Sequence, residues 1–307
     1  MKNNLLFQRL LLIFAFFNIY IIWGSTYLAV AFGLKGFPPF VLVGLRYLVA
    51  GLILLAYAKL KGEKRPSLKI ISRHALSGIL MLVGGTGMIA WAEQYITSGQ
   101  AAILIATEPL WFLLLDKKNW KTYFSNKYII AGLIIGFGGI FLFLKSTDVQ
   151  INQSAIGLIA TLVVLLSAIW WVLGSLLISN TKGSSSIVMN SSIQLLAAAA
   201  LSGVIASFTG EFSGFSFANV PTQSWLGLLF LIVFGSLIAY MSFVWLISKR
   251  PPALISTHTY VNPVVAVLLG WLFAHESLVK EQLLALVIIL VGIVLVNVPE
   301  YQKATAT

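Results

Sequence analysis

Residues Ala155–Ser179 read AIGLIATLVVLLSAIWWVLGSLLIS, an uncharged apolar run longer than the roughly 20 residues needed to cross a hydrocarbon core about 30 Å thick. A run of that length calls for lipid as its solvent. Comparable runs precede it at Leu10–Leu34, Pro39–Ala58, Ala75–Ala92, Ile96–Leu115 and Tyr128–Leu144. Others follow it at Ile187–Phe208, Trp225–Ile247, Ala253–Leu272 and Gln282–Val298. The pattern predicts an all-α integral membrane protein of about ten transmembrane helices, with boundaries good to about 2–4 residues. The runs are continuous and lack the strict alternation of barrel strands. Composition agrees: 59% of residues are hydrophobic and 9% charged, against roughly 25% charged in a soluble domain.

Lys2 and Arg9 ahead of the first run resemble the start of a secretory signal, but the run is long and has no small-residue cleavage site before Lys35, so it is expected to remain as the first span. The chain has no cysteine, which excludes disulfides, thiolate metal sites and cysteine nucleophiles. Its formal charge of +11 orients the protein in the bilayer, and no nucleic-acid partner is expected from it. With ten spans and a cytoplasmic amino terminus, Lys35, Lys145 and Lys280 alone among the 20 Lys and Arg fall on the outer side, and Arg46 lies within a span. The clusters Lys59, Lys61, Lys64, Arg65, Lys69, Arg73 and Lys117, Lys118, Lys121, Lys127 sit in short loops, where the positive-inside bias is strongest. Both termini are therefore expected in the cytoplasm.

Laying the second half on the first at an offset of 154 residues aligns Trp91 with Trp245, Ala131 with Ala285, Gly138 with Gly292, and Glu108-Pro109 with Asn262-Pro263. This predicts two five-helix repeats, residues 1–146 and 155–299, joined by a short polar connection near Thr147–Ser154. A five-helix unit is odd, so its second copy enters the membrane from the opposite side. The expected arrangement is an inverted repeat about an axis in the membrane plane, which builds a site near the midplane.

The sequence WGSTY at Trp23–Tyr27, Pro38-Pro39, GLRYLVAG at Gly44–Gly51, SGQAAILIATEPLWFLLLD at Ser98–Asp116 and PPALISTHTYVNPVVAVLLGWLFAHE at Pro251–Glu276 resembles the EamA family of the drug/metabolite transporter superfamily. The resemblance covers essentially the whole chain. It implies a ten-helix exporter or permease of the bacterial inner membrane, moving metabolites, amino acid derivatives or toxic organic compounds by alternating access, with a small-molecule substrate and no cofactor. Where most relatives carry Glu-Pro or a similar pair in the ninth helix, this chain has Asn262-Pro263, leaving the second half without a carboxylate at that depth.

An ionisable group at a helix centre costs roughly 2.5–3.5 kcal/mol on insertion scales, which makes Arg46 and Glu108 the first functional candidates. Their depths are compatible with a salt bridge. Arg46 suits a solute carboxylate, and Glu108 suits a proton or a solute amine; alternatively the two neutralise each other. Trp23, Ser25, Thr26 and Tyr27 in the first helix, and Trp91 and Tyr95 at the end of the third, offer aromatic faces and hydroxyls to an amphipathic solute. Interfacial anchoring of the aromatics, and interhelical bonding by Ser25 and Thr26, compete with that reading. His258 and Asn262 share one face of the ninth helix; His258 either titrates or is satisfied by a neighbour. Pro109 and Pro263 remove mid-helix donors and are candidate hinges or plain kinks. The glycines at 84, 85, 87, 132, 136, 138 and 139 are read as close-packing surfaces.

Other classes find less support. There is no HExxH, no paired intramembrane aspartate, and His74, His258 and His275 are far apart in sequence, so no metal site or enzymatic activity is expected. No GxxxxGK loop offers nucleotide drive. A channel is the alternative reading, although an inverted duplication supplies one asymmetric cavity where channels line a pore with rings of like groups.

Overall fold

The computed structural model describes residues 2–146, 155–179, 181, 185–249, 255–256, 258–274 and 280–305, and these are helical with no strand among them. Among the described residues, seven helices are long and apolar enough to span a bilayer: α1 (Leu10–Gly33, its helix beginning at Lys2), α2 (Pro39–Leu60), α3 (Leu68–Ala92), α4 (Ser98–Leu115), α6 (Ala155–Ser179), α7 (Ile187–Phe208) and α8 (Thr222–Ile247). Three further helices, α5 (Lys127–Ser146), α9 (His258–Ala274) and α10 (Lys280–Thr305), carry shorter apolar stretches at Lys127–Gly139, Val261–Phe273 and Leu283–Gly292. The connection Thr147–Ser154 and the expected start of the ninth span at Ala253 lie outside the described residues.

The surface is apolar where a soluble protein would be wet. Ile134, Phe141, Leu158, Leu226 and Val294 are all exposed on the helices, while Arg46, Glu108, Gln194, His258 and Asn262 are buried. Polar groups inside and hydrocarbon outside is the distribution that lipid selects.

Local chemistry sets the helix ends. Pro38 is extended and Pro39 opens α2, where a missing N–H costs nothing. Thr97 and Gln100 form a reciprocal capping box at α4, with bonds of 3.2 and 3.0 Å. Helices α2 and α7, each of 22 residues, end alike on left-handed glycines, Gly62 and Gly210. In both, the next amide closes the helix by donating five residues back, Glu63 to Ala58 and Glu211 to Ala206.

Two expectations need correction. The third span begins at Leu68 rather than Ala75, because an amphipathic turn bearing Lys69 and Arg73 continues the helix beyond its apolar part. The fourth is not one helix: it breaks at Ala106-Thr107 into Ser98–Ile105 and Glu108–Leu115. Pro109 cannot donate to the preceding turn, so the chain tightens there, Thr107 N–H bonding Leu104 O at 3.1 Å, and a new helix starts with Glu108 in its first turn.

Three spans also widen into π-helix, at Asn18–Ile22 in α1, Ile79–Gly87 in α3 and Leu231–Tyr240 in α8. The bundle is held by close crossings. A Cβ on Gly78 would strike the backbone of Gln194, one on Gly24 would lie 2.7 Å from Val265 Cβ, and one on Gly292 would lie 2.5 Å from Gly136 N. Gly84, Gly85 and Gly139 are likewise tight against Trp170, Trp171 and Ile289, whereas Gly138 faces open space, contrary to its reading as a packing surface. The strongest pairings are α5 with α10, α2 with α7, and α3 with α6, and α1 lies between α8 and α9.

Candidate functional site

The widened segment of α1 ends at Trp23, and the next two turns bring Trp23, Thr26, Tyr27 and Val30 onto one wall of an internal cavity. Arg46 enters from α2, Gly85, Thr86 and Ile89 from α3 and Glu93 from the residue that caps its end, Ile105 and Glu108 from the two parts of α4, Ser167 and Trp171 from α6, and His258 and Asn262 from α9. The cavity holds about 550 Å³ of non-atom space, including its mouth.

Arg46 is 3% exposed, and its Nε donates to Ser236 Oγ on α8 at 2.7 Å. Its guanidinium lies 5.4 Å from the Tyr47 ring, whose hydroxyl in turn bonds Leu82 O at 3.1 Å and Thr86 Oγ1. Room for the guanidinium comes from Gly235, where a Cβ would sit 2.8 Å from Nη2. Glu108 is 2% exposed, and its Oε1 is buried with no hydrogen-bond partner among the described residues. The salt bridge compatible with their depths is not formed: each charge faces the cavity from a different helix, and Arg46 spends its Nε on a neutral serine.

Four rings cluster at the cavity wall, three of them, Trp23, Trp171 and His258, lining it and Phe243 packed against them. Trp23 lies 5.1 Å from Trp171, 5.2 Å from Phe243 and 5.0 Å from His258, and Trp171 lies 5.1 Å from Phe243. His258 Nδ1 is engaged with Ile255 O at 2.9 Å. One turn before Trp23, Asn18 Nδ2 donates to Ser242 Oγ at 3.0 Å, tying α1 to α8. Asn262 lines the cavity, yet its amide nitrogen, in the orientation the network requires, donates to Ile19 O at 2.9 Å, Tyr20 O at 2.8 Å and His258 O at 3.0 Å. It satisfies carbonyls that the π-helical turn of α1 presents.

Of the residues singled out from sequence, Trp23, Thr26, Tyr27, Arg46, Glu108, His258 and Asn262 line this cavity, and Ser25, Trp91 and Tyr95 do not. Ser25 Oγ turns back to Ile22 O at 2.6 Å. Trp91 and Tyr95, with ring centroids 5.2 Å apart, line a separate outer hollow with the α1–α2 loop and Thr209–Phe215. Pro109 sits at the start of the second part of α4, and Pro263 lies inside α9. Ser167, Trp171 and the anchor Ser236 are not singled out by the sequence reading.

In that outer hollow, Glu211 Oε2 accepts the N–H groups of Phe40 and Val41 at 2.9 and 3.0 Å, capping α2 from the far half of the chain. Burial pushes its carboxyl above the ordinary value, with the two amide bonds pulling the other way. Among the described residues no three His, Asp or Glu side chains gather to hold a metal ion.

A bundle of apolar helices around a buried, charged cavity defines the class of multi-pass membrane transport proteins. A solved crystal structure aligns over 93% of this chain and 96% of its own at TM-score 0.65 and 17% identity, a likeness of fold. The model of the EamA-like transporter family matches twice, at residues 10–145 and 158–298, and the chain belongs to that family. It is 36% identical over 299 residues to the "Uncharacterized inner membrane transporter YedA" of Escherichia coli (strain K12), covering 96% of this chain and 94% of that one. It is 26% identical to the "Uncharacterized transporter YoaV" of Bacillus subtilis (strain 168), over 90% of this chain and 93% of the relative. These names point to a transporter rather than an enzyme.

Proposed function

We propose that this protein is a secondary transporter that exports a small metabolite, amino acid derivative or drug-like solute across the bacterial inner membrane by alternating access. Its frame would be ten spans in two inverted repeats, residues 1–146 and 155–299, with both termini in the cytoplasm. The observation that carries the reading is a buried cavity lined by Arg46 and Glu108, with a cluster of rings drawn from both halves at its wall: Trp23 from α1, and Trp171, Phe243 and His258 from α6, α8 and α9.

The pairing of helices supports the repeat. Exchanging α1–α5 with α6–α10 turns the α1–α9 contact into α6–α4, α1–α8 into α6–α3 and α2–α8 into α7–α3, while α2–α7, α4–α9 and α5–α10 map onto themselves. Each of these contacts exists. The π-helical segments of α3 and α8 also fall at nearly corresponding places, since Ile79–Gly87 shifted by the 154-residue offset overlaps Leu231–Tyr240. Two related halves can rock about their shared contacts and open the cavity to each side in turn.

The sequence has no cysteine, so single cysteines report accessibility against a silent background. Ile89 lines the cavity and Ser242, bonded to Asn18, lies nearer the end of α8 expected in the cytoplasm. With a membrane-impermeant thiol reagent, Ile89→Cys should label from outside and Ser242→Cys from the cytoplasmic side, each protected when the opposite state is favoured. Fixed labelling of both under every solute and pH condition refutes alternating access. Glu63→Cys and Trp120→Cys should label from the cytoplasm and Gln94→Cys from outside; labelling Glu63→Cys and Trp120→Cys from opposite faces refutes the topology.

A further inference from the structure

A hollow separate from the central cavity lies where α2 ends and where α3 and α7 begin. Its floor is apolar: Leu55 from α2, Ile71 and Ala75 from α3, and Ile193, Leu196 and Ala197 from α7. Ser192 also lines it, but its hydroxyl is spent on Met189 O at 2.8 Å, so the floor suits hydrocarbon rather than a polar group. The space is about 1070 Å³, including its open side. Two cations complete the lining, Lys59 in the last turn of α2 and Arg65 in the loop before α3. Both are exposed, and neither has a hydrogen-bond or ion-pair partner among the described residues. Segment 59–73 carries Lys59, Lys61, Lys64, Arg65, Lys69 and Arg73 against a single acid, Glu63, so the field over the hollow is positive. Leu60 and Leu68, close to these cations in the chain, are exposed as well. Apolar and cationic side chains exposed side by side mark the level at which acyl chains give way to headgroups.

We propose that this hollow binds one anionic phospholipid, its phosphate on Lys59 and Arg65 and an acyl chain along the floor between α2, α3 and α7. The two chemistries are required together. A soluble phosphate would leave the apolar floor uncovered, and a neutral lipid would leave the two cations without a counter-charge. Each cation at the membrane surface is worth about fivefold in affinity for an anionic lipid, so the pair is worth about 30-fold. Helices α2 and α3 fall in the first family match and α7 in the second, so the lipid touches both. The inference goes beyond the transport reading and takes from it only the leaflet, the cytoplasmic one.

The test uses delipidated full-length protein in detergent, with binding measured by calorimetry and folding checked by thermal melt. Dioctanoyl phosphatidylglycerol is titrated beside dioctanoyl phosphatidylcholine, which has the same tails and no net charge, and glycerol phosphate, which has the charge and no tails. Phosphatidylglycerol should bind at least about tenfold tighter than either. Lys59→Gln combined with Arg65→Gln alters exposed side chains alone, and should cost phosphatidylglycerol about 30-fold while leaving phosphatidylcholine unchanged. Lys117→Gln combined with Lys121→Gln, in the other basic cluster, should change neither. Ala197→Phe, which fills the floor and keeps both cations, should weaken the two lipids alike. Equal affinity for the two lipids, or an equal loss in the Lys117→Gln, Lys121→Gln variant, overturns the site in favour of diffuse surface charge. Glycerol phosphate binding as tightly as the lipid overturns it in favour of a soluble anion, and undiminished lipid binding in Ala197→Phe overturns the floor. None of these readouts involves solute movement, so their failure leaves the transport reading standing.

Discussion

Asn262 stands where the first half has Glu108, and the structure gives it a different task that a single oxygen-for-nitrogen exchange can expose. Its amide nitrogen reaches Ile19 O, Tyr20 O and His258 O at 2.9, 2.8 and 3.0 Å. It has two hydrogens, so it supplies about two net bonds to carbonyls that the widened turn of α1 presents. At about 1 kcal/mol per buried bond, Asn262→Ala should cost about 2 kcal/mol. Asn262→Asp should cost more, about 3–5 kcal/mol, because it places an acceptor against three acceptors and buries an uncompensated charge. Thermal unfolding of the detergent-purified variants should rank Asn above Ala above Asp at neutral pH, with the Asp variant recovering as acid protonates it. An Asp variant as stable as wild type would mean that position 262 tolerates a carboxylate as position 108 does, and would refute the donor role.

Gly235→Ala should lower the transport rate by roughly a hundredfold while leaving the melting temperature close to wild type, since the added Cβ meets the mobile end of Arg46 rather than backbone; a parallel loss of stability would place the effect in packing. Gly78→Ala should destabilise the protein by about 1–3 kcal/mol through collision with the Gln194 backbone, whereas Gly138→Ala, with nothing within 4 Å, should be neutral or slightly stabilising in the same thermal assay. Glu108→Gln in proteoliposomes should abolish transport driven by a pH gradient but keep solute counterflow; unchanged gradient-driven transport dismisses Glu108 as the proton carrier. Because burial raises the Glu211 carboxyl above its unfolded value, the folded state holds that proton more tightly, and its contribution to stability falls as pH rises from the ordinary carboxylate value through the raised one. Thermal melts of Glu211→Gln across that window should lack this slope, and an identical slope in the variant would assign it elsewhere.

Much of the fold is legible because an apolar run advertises a span without reference to its neighbours. Ala155–Ser179 and Ile187–Phe208 come out at the bounds read from sequence. The break at Ala106-Thr107 was hidden in such a run even though Pro109 marks it, since hydropathy carries no information about backbone hydrogen bonds. The π-helical turns were not legible at all, because they depend on which helix crosses where. At the site, Arg46 and Glu108 announce themselves by the cost of burying charge. Ser25 and Thr26 both turn their hydroxyls back to their own helix, on Ile22 O and Trp23 O at 2.6 Å, and only Thr26 lies on the face that lines the cavity; Ser236 was missed because its role exists only once α8 lies against α2.

The buried polar groups then divide into two sets with different duties. Neutral ones bind helix to helix: Asn18 to Ser242, Ser224 to Phe32 O at 2.8 Å, and the chain from Tyr240 to Gln194 to Ser77 to Gly174 O, with bonds of 3.0, 3.4 and 2.9 Å. Each such bond is worth about 1 kcal/mol and is replaceable when helices slide, because hydroxyls and amides find new carbonyls cheaply. An Arg46–Glu108 salt bridge across the cavity would be a different matter, since breaking a buried ion pair costs several kcal/mol. If the two halves separate and rejoin in every cycle, that cost would fall on each turnover. Leaving the two charges apart, each on its own helix, removes such a lock between α2 and α4.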